Sequence, residues 1–213
     1  MQTPSPKILV AGIGNIFLGD DAFGSEVARR LEGRNWASGV RVIDFGIRGF
    51  DLAYAVCEPN DLTVLIDATL RGGTPGTLYV IEPELTQFEG DPAQGALVDA
   101  HSLDPMQVLR MARSQGAELK GIVLVGCEPG DLGGEEGRLG MTEPVAAAVE
   151  EAVELVSRLV RNFLEGGAID GRKPLDPTPV GADLAATVES SPRDLLHLGV
   201  LPCHGIKTRV FTK

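Results

Sequence analysis

The sequence predicts an α/β protein: a three-layer α/β/α sandwich around a mostly parallel, five-stranded twisted sheet. Three observations predict it. Short apolar runs alternate with segments of helical period over residues 1–165, the pattern of consecutive β-α units. The run at 62–68, Leu62-Thr63-Val64-Leu65-Ile66-Asp67-Ala68, is apolar nearly throughout, as expected of a strand covered on both faces. Glycines or polar turns close the runs where a strand must give way to a loop.

The elements follow in order. Residues 7–13 form a short apolar strand closed by Gly12 and Gly14, and 22–31 place Val27, Ala28 and Leu31 on one helical face. A second strand at 40–45 ends at Gly46, and a short helix covers 50–57 before Pro59. The third strand is 62–68 and the fourth 77–81. An irregular polar loop at 82–100 leads to a helix over 103–113, with Ser102 as its cap and Pro105 in its first turn. The fifth strand is 121–126. A long helix over 142–164 starts at Thr142-Glu143-Pro144 and carries a stripe of Val145, Val149, Val153, Val156 and Val160. Beyond Gly166 the pattern dissolves. Residues 170–179 read as a linker, 194–197 as weakly helical, and 166–213 as a C-terminal extension to which the sequence assigns no role.

Composition narrows the function. A formal net charge of −11 excludes a basic nucleic-acid-binding face, because phosphates must be neutralised. No apolar run approaches the roughly 18 residues of a membrane span. No secretory leader is recognised at the start of the sequence. Cys57, Cys127 and Cys203 are far apart, with no C-x-x-C pair, so neither a disulfide framework nor a zinc knuckle is indicated. A cytoplasmic monomer is expected. Cys127, at the end of the fifth strand, is read as a small buried residue.

The first loop, Gly12-Ile13-Gly14-Asn15-Ile16-Phe17-Leu18-Gly19-Asp20-Asp21, lies where a dinucleotide fingerprint would lie, and Asp44 could be cast as its ribose acid. Two details oppose that reading. Phe17 stands where the third glycine belongs, and Asp20 and Asp21 already bring negative charge to a helix start that would otherwise attract a phosphate. Helix capping needs only one aspartate, for which Asp20 is suited. Asp21 is then free to project into the crevice at the carboxyl ends of the strands, although capping alone remains a sufficient account of the pair.

Asp67 closes an apolar strand and must either be hydrogen-bonded to backbone or face that same crevice. His101 stands at a loop-to-helix junction, either exposed or on the crevice side. Two carboxylates and an imidazole suit a divalent transition ion with open coordination positions. Their wide spacing in sequence fits a site filled when a partner brings the metal.

Together, Gly12-x-Gly14-Asn15, Asp20-Asp21-x-x-Gly24, Asp67 at the end of the third strand, Gly76-Thr77 and His101 resemble the hydrogenase maturation endopeptidases. The likeness runs from about Lys7 to about Leu164. It implies an endopeptidase that removes a C-terminal peptide from the nickel-loaded precursor of a [NiFe]-hydrogenase large subunit. It also implies that Asp21, Asp67 and His101 contact the substrate's nickel, with no tightly bound metal in the isolated protein. Asp44, Gly46, Arg48 and Gly49 match a loop implicated in choosing the substrate. Asp21 replaces the glutamate of many members, one methylene longer, and Cys203-His204 is too cramped for one ion. A non-catalytic chaperone that checks for nickel would use the same residues. Whether the metal or a carboxylate activates water is left open.

Overall fold

In the computed structural model, residues 5–85, 104–134, 136–167 and 207–211 are described. Five strands, β1 (Ile8–Ile13), β2 (Val40–Gly46), β3 (Leu62–Ala68), β4 (Leu78–Glu82) and β5 (Ile122–Cys127), form the expected sheet. Four of them, β1, β2, β3 and β5, run parallel, and β4 runs antiparallel to β5. A sixth strand, β6 (Lys207–Phe211), pairs antiparallel with β4 and makes the order β2-β1-β3-β5-β4-β6. It lies in the C-terminal extension, where the sequence reading placed no strand. Its five residues carry no turn or apolar boundary that would mark them out.

Helices α1 (Phe23–Glu32) and α4 (Glu143–Leu164) cover one face; α2 (Gly49–Cys57) and α3 (Pro105–Ser114) cover the other. Alternate residues of each strand serve the two cores. Val64 and Ile66 of β3 pack with Phe23, Val27 and the α4 valines, while Leu65 packs with Leu52 of α2 and Leu109 of α3. Strands of this kind, apolar on both sides, are what a buried parallel sheet requires. Among the described residues no helix is long and apolar enough to cross a membrane.

Two helix starts differ from expectation. The cap of α3 is Asp104, whose side chain accepts from the Met106 N–H at 2.9 Å, with Pro105 in the first turn as expected. Ser102 lies outside the described residues, as do the proposed linker at 170–179 and the helical segment at 194–197. At the other start, a single 3-10 turn, Gly19–Ala22, precedes α1, and no side chain caps either of them.

Topology locates the crevice. The connection after β1 runs to α1 on one face. The route from β3 to β5 passes through β4 and α3 on the opposite face. Neighbouring loops therefore part between the carboxyl ends of β1 and β3, the place where open α/β sheets bind ligands.

Two glycines, Gly12 of β1 and Gly24 of α1, set how closely α1 approaches this point. A Cβ on Gly24 would fall 2.1 Å from the Ile66 carbonyl oxygen and 2.2 Å from that of Ile13; one on Gly12 would fall 2.4 Å from the Ala28 Cβ. Alanine is the better helix former by about 1 kcal/mol, but the clash is with backbone, which yields little. Gly24→Ala is expected to lose about 3 kcal/mol in urea unfolding; a gain in stability would show that helix propensity outweighs the contact.

Candidate functional site

Asp21 and Asp67 meet at the β1/β3 crevice. Gly24 lies against Ile66, so the 3-10 turn one helical turn earlier carries Asp21 over the end of β3, where Asp67 follows Ile66. The motif residues between them have local work. The Asn15 N–H donates to Asp21 Oδ2 at 2.7 Å, and Asn15 Oδ1 accepts from the Phe17 N–H at 3.0 Å. Gly14 adopts a φ of +139°, and a Cβ there would lie 1.8 Å from the Asp21 carbonyl oxygen, so the turn that presents Asp21 closes only on glycine.

Electrostatics disfavour a negative charge on both acids at once. Burial raises the pKa of Asp21, opposed by the Asn15 N–H. Asp67 is raised well above the ordinary carboxylate value, first by burial, then by the negative charge of Asp21 and, more weakly, of Asp104; the Ala68 N–H acts in the other direction. Two carboxylates sharing a desolvated site cannot both ionise cheaply, and a divalent cation relieves the same repulsion that a proton relieves. The donor set therefore suits a hard or borderline cation. Among the described residues no third His, Cys, Asp or Glu joins them in a metal-holding group. His101, the third residue expected here, lies outside the described residues.

Asp20 does something else than expected. It is fully buried and does not cap its own helix. Its Oδ2 accepts from the Gly130 N–H (2.7 Å), the Asp131 N–H (2.9 Å) and the Thr142 hydroxyl (2.9 Å); its Oδ1 accepts from the Thr142 N–H (2.6 Å). Backbone bonds from Gly19 N–H to Arg138 O, Arg138 N–H to Phe17 O and Asp20 N–H to Asp131 O complete the join. Asp20 thus ties the loop bearing Asp21 to the β5–α4 loop and to the start of α4. Capping was the wrong reason for setting it apart from Asp21, because its donors come from more than 100 positions away in sequence.

Glu128, which sequence reading passed over, is a second buried tie. It accepts from the N–H groups of Arg71 (2.9 Å) and Gly72 (3.0 Å) and from the Tyr79 hydroxyl (2.7 Å), fixing the loop that follows Asp67. Burial, and then the hydrogen bond to Glu128, push the Tyr79 pKa upward. The only available signal was an acid directly after an apolar strand, the same signal that marked Asp67.

At the end of β2 and in the turn that follows it, Asp44 Oδ1 accepts from the Gly46 N–H at 2.9 Å, Arg48 Nε donates to the Phe45 carbonyl at 3.1 Å, and Gly49 opens α2. The Gly14 N–H donates to the Gly46 carbonyl at 3.1 Å, so the four residues expected to select substrate border the same crevice. Phe17, where a dinucleotide site needs glycine, is exposed. Cys127 is buried, and burial pushes its thiol up to about 12, which removes it as a nucleophile. Cys57 is also a free thiol, whereas Cys203 and His204 lie outside the described residues.

Comparison with known proteins places the chain among hydrogenase maturation proteins. A family model described as hydrogenase maturation protease matches residues 25–159, a span that includes Asp67 and His101 and begins just past Asp21. The chain is 32% identical over 171 residues to the hydrogenase expression/formation protein HupD of Rhizobium leguminosarum bv. viciae, covering 79% of this chain and 80% of that one. It is 30% identical to the hydrogenase 2 maturation protease of Escherichia coli, covering 73% and 91%. The solved structure of the hydrogenase maturating endopeptidase HybD from E. coli superposes with a TM-score of 0.58 at 29% identity, over 74% of this chain and 93% of that one.

Two outcomes separate the neighbouring acids. Asp20→Ala strands several buried donors, each worth about 1–3 kcal/mol, and is expected to lose about 3 kcal/mol or more in urea unfolding. Asp21→Ala, with one such donor, should lose about a third of that; equal losses would refute the division of labour. Asp67 favours its neutral form when folded. The stability this contributes is complete below the unfolded pKa and is lost as pH rises through the higher folded one. Asp67→Asn should therefore melt above the wild type at pH 8, with the gap closing in acid. A gap that widens in acid would reverse the assignment.

Proposed function

The chain belongs to the hydrogenase maturation protease family, and from that premise we propose that its β1/β3 crevice reads the nickel of a hydrogenase large-subunit precursor. The protein is an endopeptidase, a hydrolase of peptide bonds that acts in C-terminal processing of the large subunit. Asp21, Asp67 and His101 contact the nickel that the [NiFe]-hydrogenase precursor carries, and nickel enters as part of the substrate. The observation that carries this reading is the desolvated, mutually repelling pair Asp21 and Asp67 at the switch point of the sheet. The place of Asp104 supports His101 as the third group. Asp104 lies near enough to act on the charge of Asp67, and His101 precedes it by three positions, a length of chain that spans at most about 11 Å.

Docking the metal against these groups sets the scissile peptide beside them, and positioning of this kind lowers the barrier without new chemistry. In hydrolysis the water oxygen bonds to the carbonyl carbon, the peptide C–N bond breaks, and a proton ends on the leaving nitrogen. The water's proton needs an acceptor, and Asp21 and Asp67 are the described groups at the crevice able to take it. Asp44, Gly46, Arg48 and Gly49, at the crevice border, select the precursor. A precursor without nickel offers the acids no target, so cutting waits for metal insertion. Membership among proteases disfavours the chaperone reading, in which the precursor is bound and never shortened.

Intact-mass spectrometry of the large-subunit precursor, with and without nickel, tests this. The wild type should shorten only the nickel-loaded form, and Asp21→Asn should lower kcat/KM at least about 100-fold while melting like the wild type. Cleavage independent of nickel, or undiminished in the variant, would overturn the assignment.

A further inference from the structure

The exposed apolar side chains of this protein are not scattered. Single exposed hydrophobic residues are ordinary on any soluble surface; their gathering at one place is not. Of the eight large hydrophobic side chains that stand exposed among the described residues, seven belong to segments leaving the carboxyl end of a parallel strand; the eighth, Tyr54, lies further along α2. Phe17 follows β1, Ile47 and Phe50 follow β2, Leu70 follows β3 and Leu139 follows β5. Since these four strands run the same way, the residues border the crevice of Asp21 and Asp67. Among the described residues, the loops at the opposite end of the sheet have none.

Their backbones are held, so the residues form a surface and not loose ends. The Arg138 N–H donates to the Phe17 carbonyl at 2.8 Å and Leu18 bridges to Arg138, which fixes Phe17 and Leu139 on joined segments. Leu70 precedes the Arg71 and Gly72 N–H groups bound by Glu128. Part of the charge at this end is met within the protein: Arg48 pairs with Asp51 and Arg138 with Asp131. The apolar side chains stand among these paired charges.

We propose that this rim is the docking surface for the body of the large-subunit precursor, met by apolar side chains of the precursor around its cleavage segment. The inference rests on the protease reading above. A protein substrate whose peptide bond reaches the crevice necessarily lies over the residues that surround it, so the occupant of the rim is the molecule that is cut. Apolar anchors ringed by polar groups dominate the affinity of such interfaces.

The test follows cleavage of purified nickel-loaded precursor over a range of concentrations. Phe17, at 62% exposure, and Leu139, at 79%, have little packing to lose, so Phe17→Ser and Leu139→Ser should keep the wild-type melting temperature. Each should raise KM at least tenfold, with the loss falling on KM and not on kcat. Glu118→Ser, exposed at the far end of the sheet, serves as the control and should cleave normally. If the wild type and both rim variants cleave with the same KM, the rim is not the docking surface while the protease reading stands. If the wild type itself never cuts the precursor, the protease reading fails and the docking proposal falls with it. If light scattering shows a dimer that both variants dissolve, the rim pairs two copies of this chain, which equally overturns the proposal.

Discussion

The close seat of α1 on the sheet is the constraint from which the site follows. Gly12 and Gly24 let the helix lie where any Cβ would collide with Ala28, Ile13 or Ile66. That depth fixes the height of the preceding turn, and with it the position of Asp21 above the end of β3. Move α1 outward by the width of a methyl group and the two carboxylates separate. The geometry of the acidic pair is therefore set by main-chain contact, which is stiff, and not by the rotamers of two flexible side chains.

Around that seat the protein divides its acids by what surrounds them. Asp20 is buried with four donors and acts as a knot among three segments. Glu128 is buried with backbone donors and a tyrosine hydroxyl and holds the loop after β3. Asp21 and Asp67 are the under-supplied ones: desolvated, close to each other, and each with one backbone N–H opposing the shift. A carboxylate with a full set of donors is structural; a carboxylate short of them still has bonding capacity to offer a cation. The start of α1 follows Asp21 directly, and a helix N-terminus favours negative charge within its first turn.

How much of this could be read from the sequence depended on the range of the interactions. Strand boundaries and the α4 valine stripe were legible because periodicity is local. Asp67 was legible because an acid closing an apolar strand is conspicuous. The role of Asp20 was not, since its partners lie beyond residue 129, and a local rule assigned it to the nearest helix. Glu128 carried the same signal as Asp67 and was missed, because nothing local says that loop N–H groups will satisfy one and not the other. Strand β6 has no pattern of its own and exists through pairing with β4, a contact between distant parts of the chain. The exposed rim is invisible in one dimension: its members are ordinary loop hydrophobics until the fold brings their loops to one edge.

On the proposed reading, the acidic pair and the rim solve different parts of one recognition problem. Two carboxylates and an imidazole respond to nickel, but nickel in solution offers them the same charge as nickel held by a precursor. Metal contact alone cannot separate the two, because specificity is a difference of affinities. An apolar surface alone is no better, since it would hold a precursor whether or not nickel had been inserted. Joined on one rigid edge, they act as an AND gate. The surface supplies affinity for the right protein, the acids supply affinity for the right state of it, and only their sum holds the peptide bond in place long enough to be cut. The coupling needs the two parts to keep a fixed separation, which is what the Asp20 and Glu128 ties provide.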